Sequence, residues 1–581
     1  MLATLLLVLH LLQLCAGSCY FSAELQGEYL MQTITITSGA QTQIQYSVVK
    51  ITAEAIPMWG LCHQREGDNV ILNDSFNGTA CIRCFHLKLH SPNVLQVHTC
   101  PTCLDQCYLT EEAARNTCPK GDDLASGRHK EINLFRTREI GGGSIRKMFC
   151  PIAGRYKFTY NLYNQTDNRV ECSPSVSQLE NCPDRTGGPG LEVHFQGCAH
   201  QYNEMTFDCL GDWPGPNGQR FLALQETNVP ATGERPLYRC ALYKEDEQRG
   251  SIMMAFSSDS TCTSDLYNAS YGHMTWNLTA IPSVHWPSVV INSKCSFPYW
   301  SQGKWEHLNI DFNSLTYKDH YSYNAYTMRC AQAVNEERFV VFSKNGCGEE
   351  VYKCIKMKLR SGNVLEFQLG LTSSIFFNTS LCSDSNFLGN IWVTQARLEG
   401  RQVSPCPVTG DYTGFITNDS GLCARMASDQ LHPEIMYFTV SDCEQQEVYE
   451  EREYQCLGQW EEDGVTYTYT QRRDFGSYEC FVGSILSNNE IYIKEAGEHC
   501  GRGIDPLRTG MKLQVRGGAK LADPNPPTTP PATSWFVTKR PSIPTKPWKP
   551  ITGAPPRQSG ATRATPLIVC VLVTVVALTL T

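Results

Sequence analysis

Two halves of this chain carry the same cysteine frame in the same order, with the same residues at the same offsets. Cys19, Phe21, Gln26, Gly27 and Tyr29 answer to Cys295, Phe297, Gln302, Gly303 and Trp305. Cys84 with Lys88, Leu89, Ser91, Asn93, Val94 and Leu95 answers to Cys354 with Lys358, Leu359, Ser361, Asn363, Val364 and Leu365. Cys150-Pro151 with Gly154 and Tyr156 matches Cys406-Pro407 with Gly410 and Tyr412. Cys209-Leu210-Gly211 with Trp213 matches Cys456-Leu457-Gly458 with Trp460, and Tyr238 before Cys240 matches Tyr478 before Cys480. Each half holds two unlike blocks, so the simplest organisation is A, B, A′, B′: four modules of ordinary domain size. Module A spans 19–140, B 149–280, A′ 295–400 and B′ 405–507.

The frame also sets the redox chemistry. Of 28 cysteines, Cys15 falls in the N-terminal apolar run and Cys570 in the C-terminal tail, which leaves 26. Module A holds eight (Cys19, Cys62, Cys81, Cys84, Cys100, Cys103, Cys107, Cys118) and B seven (Cys150, Cys172, Cys182, Cys198, Cys209, Cys240, Cys262). A′ holds five (Cys295, Cys330, Cys347, Cys354, Cys382) and B′ six (Cys406, Cys423, Cys443, Cys456, Cys480, Cys500). An even total suits a disulfide framework in an oxidising compartment. The odd counts of B and A′ require a bridge out of B, with A′ the expected destination, fastening one half to the other. The remaining connectivity is not readable from spacing.

Both ends point to the secretory pathway. Residues 1–18 carry an apolar run and end in Ala16-Gly17-Ser18, as a signal peptide whose cleavage leaves Cys19 first. Seven Asn-x-Ser/Thr sequons follow, at Asn73, Asn77, Asn164, Asn268, Asn277, Asn378 and Asn418. Residues 521–566 are Pro/Thr-rich, with twelve prolines and no cysteine, the composition of an extended stalk. The tail 567–581 is apolar with no charged residue after it, shorter than the roughly 20 residues a spanning helix needs. It reads as a glycosylphosphatidylinositol signal with Ser559 as attachment site and Gly553 as the alternative; a short transmembrane tail is the competing reading.

The local pattern is that of strands. Residues 33–37 alternate Thr and Ile, Ser38-Gly39 turns the chain, and Ile44, Tyr46 and Val48 resume the period of two. Between Tyr454 and Phe481, two strands flank Asp463-Gly464 and a third follows the turn at 474–477, a three-stranded meander. The expectation is an all-β fold of small disulfide-stapled modules, sandwich or barrel, compensating for small cores with bridges worth about 2–4 kcal/mol each.

Candidate chemistry is sparse. Cys81-x-x-Cys84 and Cys100-x-x-Cys103 have zinc-ribbon spacing, but oxidising context favours disulfides. Cys81 finds a repeat counterpart in Cys347, while Cys100, Cys103 and Cys107 shrink to Cys382. Acidic residues gather at Asp442, Glu444, Glu447, Glu450, Glu451, Glu453, Glu461, Glu462 and Asp463 without calcium-loop spacing, as on a solvated face. Trp213, Trp460, Tyr156 and Tyr412 recur beside bridge cysteines, which fits core packing better than ligand stacking. The stretch 191–197 aligns with 436–442 and reads as a native strand. Motif searches for nucleophile elbows, zincins and P-loops return nothing. The net charge of −9 argues against nucleic acid.

This constellation of motifs resembles an uncharacterised invertebrate family of secreted or membrane-anchored cysteine-rich proteins that looks like four consecutive domains of unknown function. The resemblance spans nearly all of 19–500 and implies the architecture, no cofactor and no functional residue. The expected function is a non-enzymatic, lipid-anchored cell-surface glycoprotein that presents its modules to an extracellular protein or glycan. The alternatives are a structural matrix, cuticle or shell component, and a carrier of an apolar ligand should Tyr29 and Trp305 open closed barrels.

Overall fold

The computed structural model describes residues 19–516, apart from 37–41, 77–78, 125–127, 141, 164–168, 183–189, 197–203, 228–235, 247–249, 282–285, 417–420, 429–430, 445–447 and 487–489. Residues 1–18, the Pro/Thr-rich stretch with Ser559 and Gly553, the apolar tail, and sequons Asn77, Asn164 and Asn418 lie outside the described residues, as do Glu447, Cys198 and the side chain of Cys172.

The period-two pattern becomes antiparallel β-structure throughout, in four bodies of eight strands each. Modules B and B′ are closed barrels. In B, strand Gly154–Tyr163 pairs with both Arg169–Asn181 and the last strand Met274–Ala280. In B′, Gly410–Phe415 pairs likewise with Leu422–Ser428 and Met511–Val515. Modules A and A′ are curled eight-stranded sheets. In A′ the strands follow in chain order, and an isolated bridge from Trp305 to Arg397 brings first and last together. In A the first strand, Gly27–Ile36, pairs directly with the last, Lys130–Arg138. The choice between sandwich and barrel thus resolves to barrels and near-barrels.

The expected meander is present as Val448–Glu462, Val465–Arg472 and Tyr478–Leu486. Asp463 and Gly464 turn its first hairpin with φ of 53° and 77°, the left-handed pair a two-residue hairpin loop needs. Residues 191–194 lie in the strand Gly190–His194, with Leu191 and Val193 buried inward, as the counterpart of Ile435–Asp442.

Twelve disulfides join the described cysteines. Module A closes its eight internally: Cys19–Cys62, Cys81–Cys107, Cys84–Cys118 and Cys100–Cys103. Bridges repeated between halves are Cys150–Cys209 with Cys406–Cys456, Cys240–Cys262 with Cys480–Cys500, Cys19–Cys62 with Cys295–Cys330, and Cys84–Cys118 with Cys354–Cys382. Cys423–Cys443 completes B′. Cys182–Cys347 is the expected link from B to A′. It also corrects one assignment: Cys347 is not the working counterpart of Cys81, because it reaches out of its module while Cys81 pairs within its own. Beside this bridge Gly154 and Gly346 meet backbone to backbone; a Cβ on Gly154 would lie 2.9 Å from the Gly346 Cα.

Candidate functional site

The motifs repeated between halves are spent on two structural tasks. The opening motif ties the first strand of each A-type module. Gln26 Nε2 donates to Phe21 O at 2.8 Å and Gln302 Nε2 to Phe297 O at 3.0 Å. Tyr29 Oη donates to Leu25 O and Trp305 Nε1 to Ser301 O, both at 2.8 Å. Arg136 lies over the Tyr29 ring and Arg397 over Trp305, at 5.0 and 4.2 Å.

The second task is docking A on B and A′ on B′. Ser91 Oγ donates to Leu210 O at 2.8 Å, and Asn93 Nδ2 donates to Arg146 O and Leu210 O. At the matching place Asn363 Nδ2 donates to Gln402 O at 2.8 Å and Leu457 O at 2.9 Å. The glycine after each leucine lets the partner in: a Cβ on Gly458 would come within 2.8 Å of both Ser361 Cβ and Val364 Cγ2, and closer still to Ser361 Oγ. Trp213 and Trp460 sit in these interfaces, beside Cys240–Cys262 and Cys480–Cys500, so they pack against disulfides but between modules. Tyr156 and Tyr412 pack inside their barrels near Cys150–Cys209 and Cys406–Cys456.

The two interfaces differ in charge. His90 stacks on Trp213 with centroids 4.5 Å apart and its Nε2 bonds Gln96 Oε1 at 2.9 Å. Burial lowers its pKa to about 4, so the ring is neutral at pH 7. Arg360 occupies the same repeat position in A′ and pairs with buried Glu366 and with Glu462, which Arg502 also engages. Cations and rings alternate along this seam: Arg360 over Trp392 and Trp460 at 5.3 and 5.5 Å, Arg502 over Trp460 and Tyr467 at 5.8 and 4.7 Å. Burial alone would raise the Glu462 pKa, but Arg502 and Arg360 bring it below the usual carboxylate value. The acidic cluster read as a solvated face is therefore partly internal: Glu462 is in this network, Glu450 holds Arg452 and Glu453 holds Arg473.

The CxxC pairs hold no metal set, since all four cysteines are oxidised. Among the described residues, Glu306, His307 and Glu498 bring one ligand atom each within 4.8 Å of one another. Glu306 Oε2 already accepts from Tyr469 Oη at 3.2 Å and Glu498 Oε2 from Arg146 at 3.2 Å, so these carboxylates are engaged in a partly exposed network of hydrogen bonds and an ion pair.

One corner separates the halves. In A, Glu24 beside the opening motif forms an ion pair with Arg472 of B′, which also binds Asp474, and Tyr20 meets Tyr449 of B′ edge-on at 5.2 Å. Burial would raise the Glu24 pKa, but Arg472 pulls it down. In A′ the positions of Ala23 and Glu24 are Tyr299 and Trp300. Tyr299 is 93% exposed. With Asn335, Glu336 and the floor residues Phe297 and Phe339 they border an open cleft of about 590 Å³. Sequence reasoning missed this corner, although subtracting one repeat from the other would have exposed the replacement of Ala-Glu by Tyr-Trp.

Each of the four bodies matches a domain model of its own. In chain order these are Domain of unknown function (DUF7044) at 17–123, Domain of unknown function (DUF7042) at 146–279, Domain of unknown function (DUF7043) at 291–394 and Domain of unknown function (DUF7045) at 406–506. The chain is thus four consecutive domains of unknown function in a cysteine-rich, disulfide-bonded protein. No curated protein matches it. The first model stops at 123, short of the last strand of A, Lys130–Arg138. Twelve disulfides suggest an oxidising extracellular or secretory-pathway location.

Proposed function

We propose that this protein is a non-enzymatic cell-surface glycoprotein, held by a C-terminal lipid anchor, that presents its four modules for adhesion or ligand recognition through the open corner of A′. The observation that carries this reading is the contrast between duplicates. The same corner is occupied by Arg472 of B′ in module A and is left open, with Tyr299 protruding, in module A′. Aromatic rings beside a carboxylate and an amide suit an extracellular protein or glycan. Modules each stapled by internal disulfides, with Cys182–Cys347 joining B to A′, also suit the structural matrix alternative. The carrier alternative has the least support: the interior of B is filled by Phe158, Tyr160, Phe207 and Trp276, and the cavity in B′ beside Met426, Met436 and Phe481 measures about 30 Å³, room for about one water.

The test is to express the full chain in animal cells and treat intact cells with phosphatidylinositol-specific phospholipase C. Release into the medium is expected, and the released ectodomain should bind a defined set of extracellular proteins or glycans, with Tyr299→Ser weakening that binding. Retention on treated cells would replace the lipid anchor with a transmembrane tail, and secretion without the enzyme would favour the matrix component. Binding indifferent to Tyr299→Ser would remove the corner from the site.

A further inference from the structure

We propose that the outer layer of module A′ is covered by an N-linked oligosaccharide on Asn378, whose first sugar ring packs on Phe376. This rests on the secretory-glycoprotein reading above, but concerns a different face of the module.

The loop 370–392, between strands Val364–Leu369 and Val393–Ala396, leaves Leu371, Ile375, Phe376, Leu388 and Ile391 between 48 and 74% exposed. So many large apolar side chains on one loop of a soluble module require a cover or a partner. The acceptor for a cover lies among them. Phe377 turns toward the sheet, its ring edge-on to Tyr352 with centroids 5.7 Å apart. Asn378 is extended, with φ −153° and ψ 122°. Phe376 and Asn378, two residues apart, are both exposed. Asn378 Oδ1 accepts from Ser380 N at 2.9 Å and caps the short helical turn Thr379–Cys382, which fixes the carboxamide and leaves Nδ2 for the sugar.

The duplicate supplies the control. The equivalent loop of A is framed by Cys84–Cys118 as this one is by Cys354–Cys382. It carries a charged helical turn, Glu111–Arg115, with Glu111 bonded to Arg115 and to His63, and it has no Asn-x-Ser/Thr sequon. The loop of A exposes Leu109 as its one large apolar side chain among the described residues and has no acceptor; the loop of A′ exposes several and has one. Transfer from a lipid-linked oligosaccharide diphosphate would form the C1–Nδ2 bond and break the C1–O bond to the diphosphate. One proton leaves Nδ2, and the lipid diphosphate departs. The apolar face of the first pyranose then lies within reach of the Phe376 ring.

Glycopeptide mass spectrometry of the full chain secreted or released from animal cells should find Asn378 occupied. Ser380→Ala, which removes the sequon and keeps Asn378, should raise the fluorescence of an apolar-surface dye and shift the monomer to larger species in size-exclusion chromatography. Adding Ile375→Ser and Phe376→Ser should reverse both changes. Should Ser380→Ala fail to be secreted, the folded wild-type glycoprotein is compared after endoglycosidase trimming to one sugar, which should stay dye-dark, and after complete removal, which should not. Asn378 unoccupied while Asn277 is occupied would overturn the proposal and leave the glycoprotein reading intact; no occupied sequon would overturn both. An unglycosylated chain that stays monomeric and dye-dark would also overturn it. Binding of a partner protein to the glycosylated chain through Phe376 would assign the face to that partner instead.

Discussion

Replacing Gly458 by alanine inserts one methyl group where module A′ docks on B′. Its carbon would fall 2.8 Å from Ser361 Cβ and from Val364 Cγ2, so the two modules must separate locally. Such overpacking costs about 1–3 kcal/mol. The movement also pulls Leu457 O from Asn363 Nδ2, now 2.9 Å away, and that hydrogen bond contributes about 1 kcal/mol. The expected loss is about 2–4 kcal/mol for the second half of the molecule, a fall in melting temperature of about 5–10 °C. Thermal and chaotropic unfolding of the ectodomain, followed by the fluorescence of buried Trp460, reads it directly. Ser361→Gly is the matched partner, because Ser361 Oγ is buried without a hydrogen-bond partner and its removal loses no bond. The double variant Ser361→Gly/Gly458→Ala should recover about half of the loss, since Val364 still crowds the new methyl. Wild-type stability in Gly458→Ala, or the same loss with and without Ser361, would refute the docking role given to this motif.

Three further outcomes are expected. Cys182→Ala with Cys347→Ala should cost about 4–5 kcal/mol, because the bridge spans 165 residues, and calorimetry should split one transition into two. The pKa of His90 is depressed to about 4 by burial, so the unfolded chain takes up protons first; its contribution is complete above about pH 6.5 and is lost as pH falls toward 4. His90→Gln should therefore flatten the stability profile in that window by up to about 3 kcal/mol. Finally, Glu226 and Arg239 face each other in B where Arg472 and Glu479 face each other in B′, the same positions with charges exchanged. Glu226→Arg alone should destabilise by about 3–5 kcal/mol, and adding Arg239→Glu should restore most of it in the same unfolding assay.

The duplication, the strand-rich modules, the hairpin at Asp463-Gly464 and the bridge from B to A′ were all legible before any coordinates, for physical reasons. Repeated offsets report repeated packing, period-two alternation reports a half-buried sheet, and an odd cysteine count must be balanced elsewhere. Barrel closure was not legible, since strand order depends on which distant edges meet. Nor was the partner of Cys347: the repeat paired its position with Cys81, and only the contact of Gly154 with Gly346 places Cys182 beside it. The tryptophans were placed beside disulfides correctly, but that they bury against a second module needs the tertiary contacts of Val94 and Val364. Glu462 looked solvated because Arg360 and Arg502 lie far from it in sequence. The open corner of A′ was hidden by treating the repeats through their identities, when their differences carry the information.

The bridge between Cys182 and Cys347 imposes an order on biosynthesis. At about 5–20 residues per second, the ribosome delivers Cys347 some ten to thirty seconds after Cys182. In the oxidising compartment that the disulfides suggest, the first two modules carry an unsatisfied thiol during that interval. Cys172 and Cys198 are in the same stretch of chain, so a premature partner is close at hand. Maturation of this protein should accordingly depend on an isomerase that keeps the early thiol exchangeable until the third module arrives, and a chain truncated before Cys347 should be retained in the cell or appear as a disulfide-linked dimer.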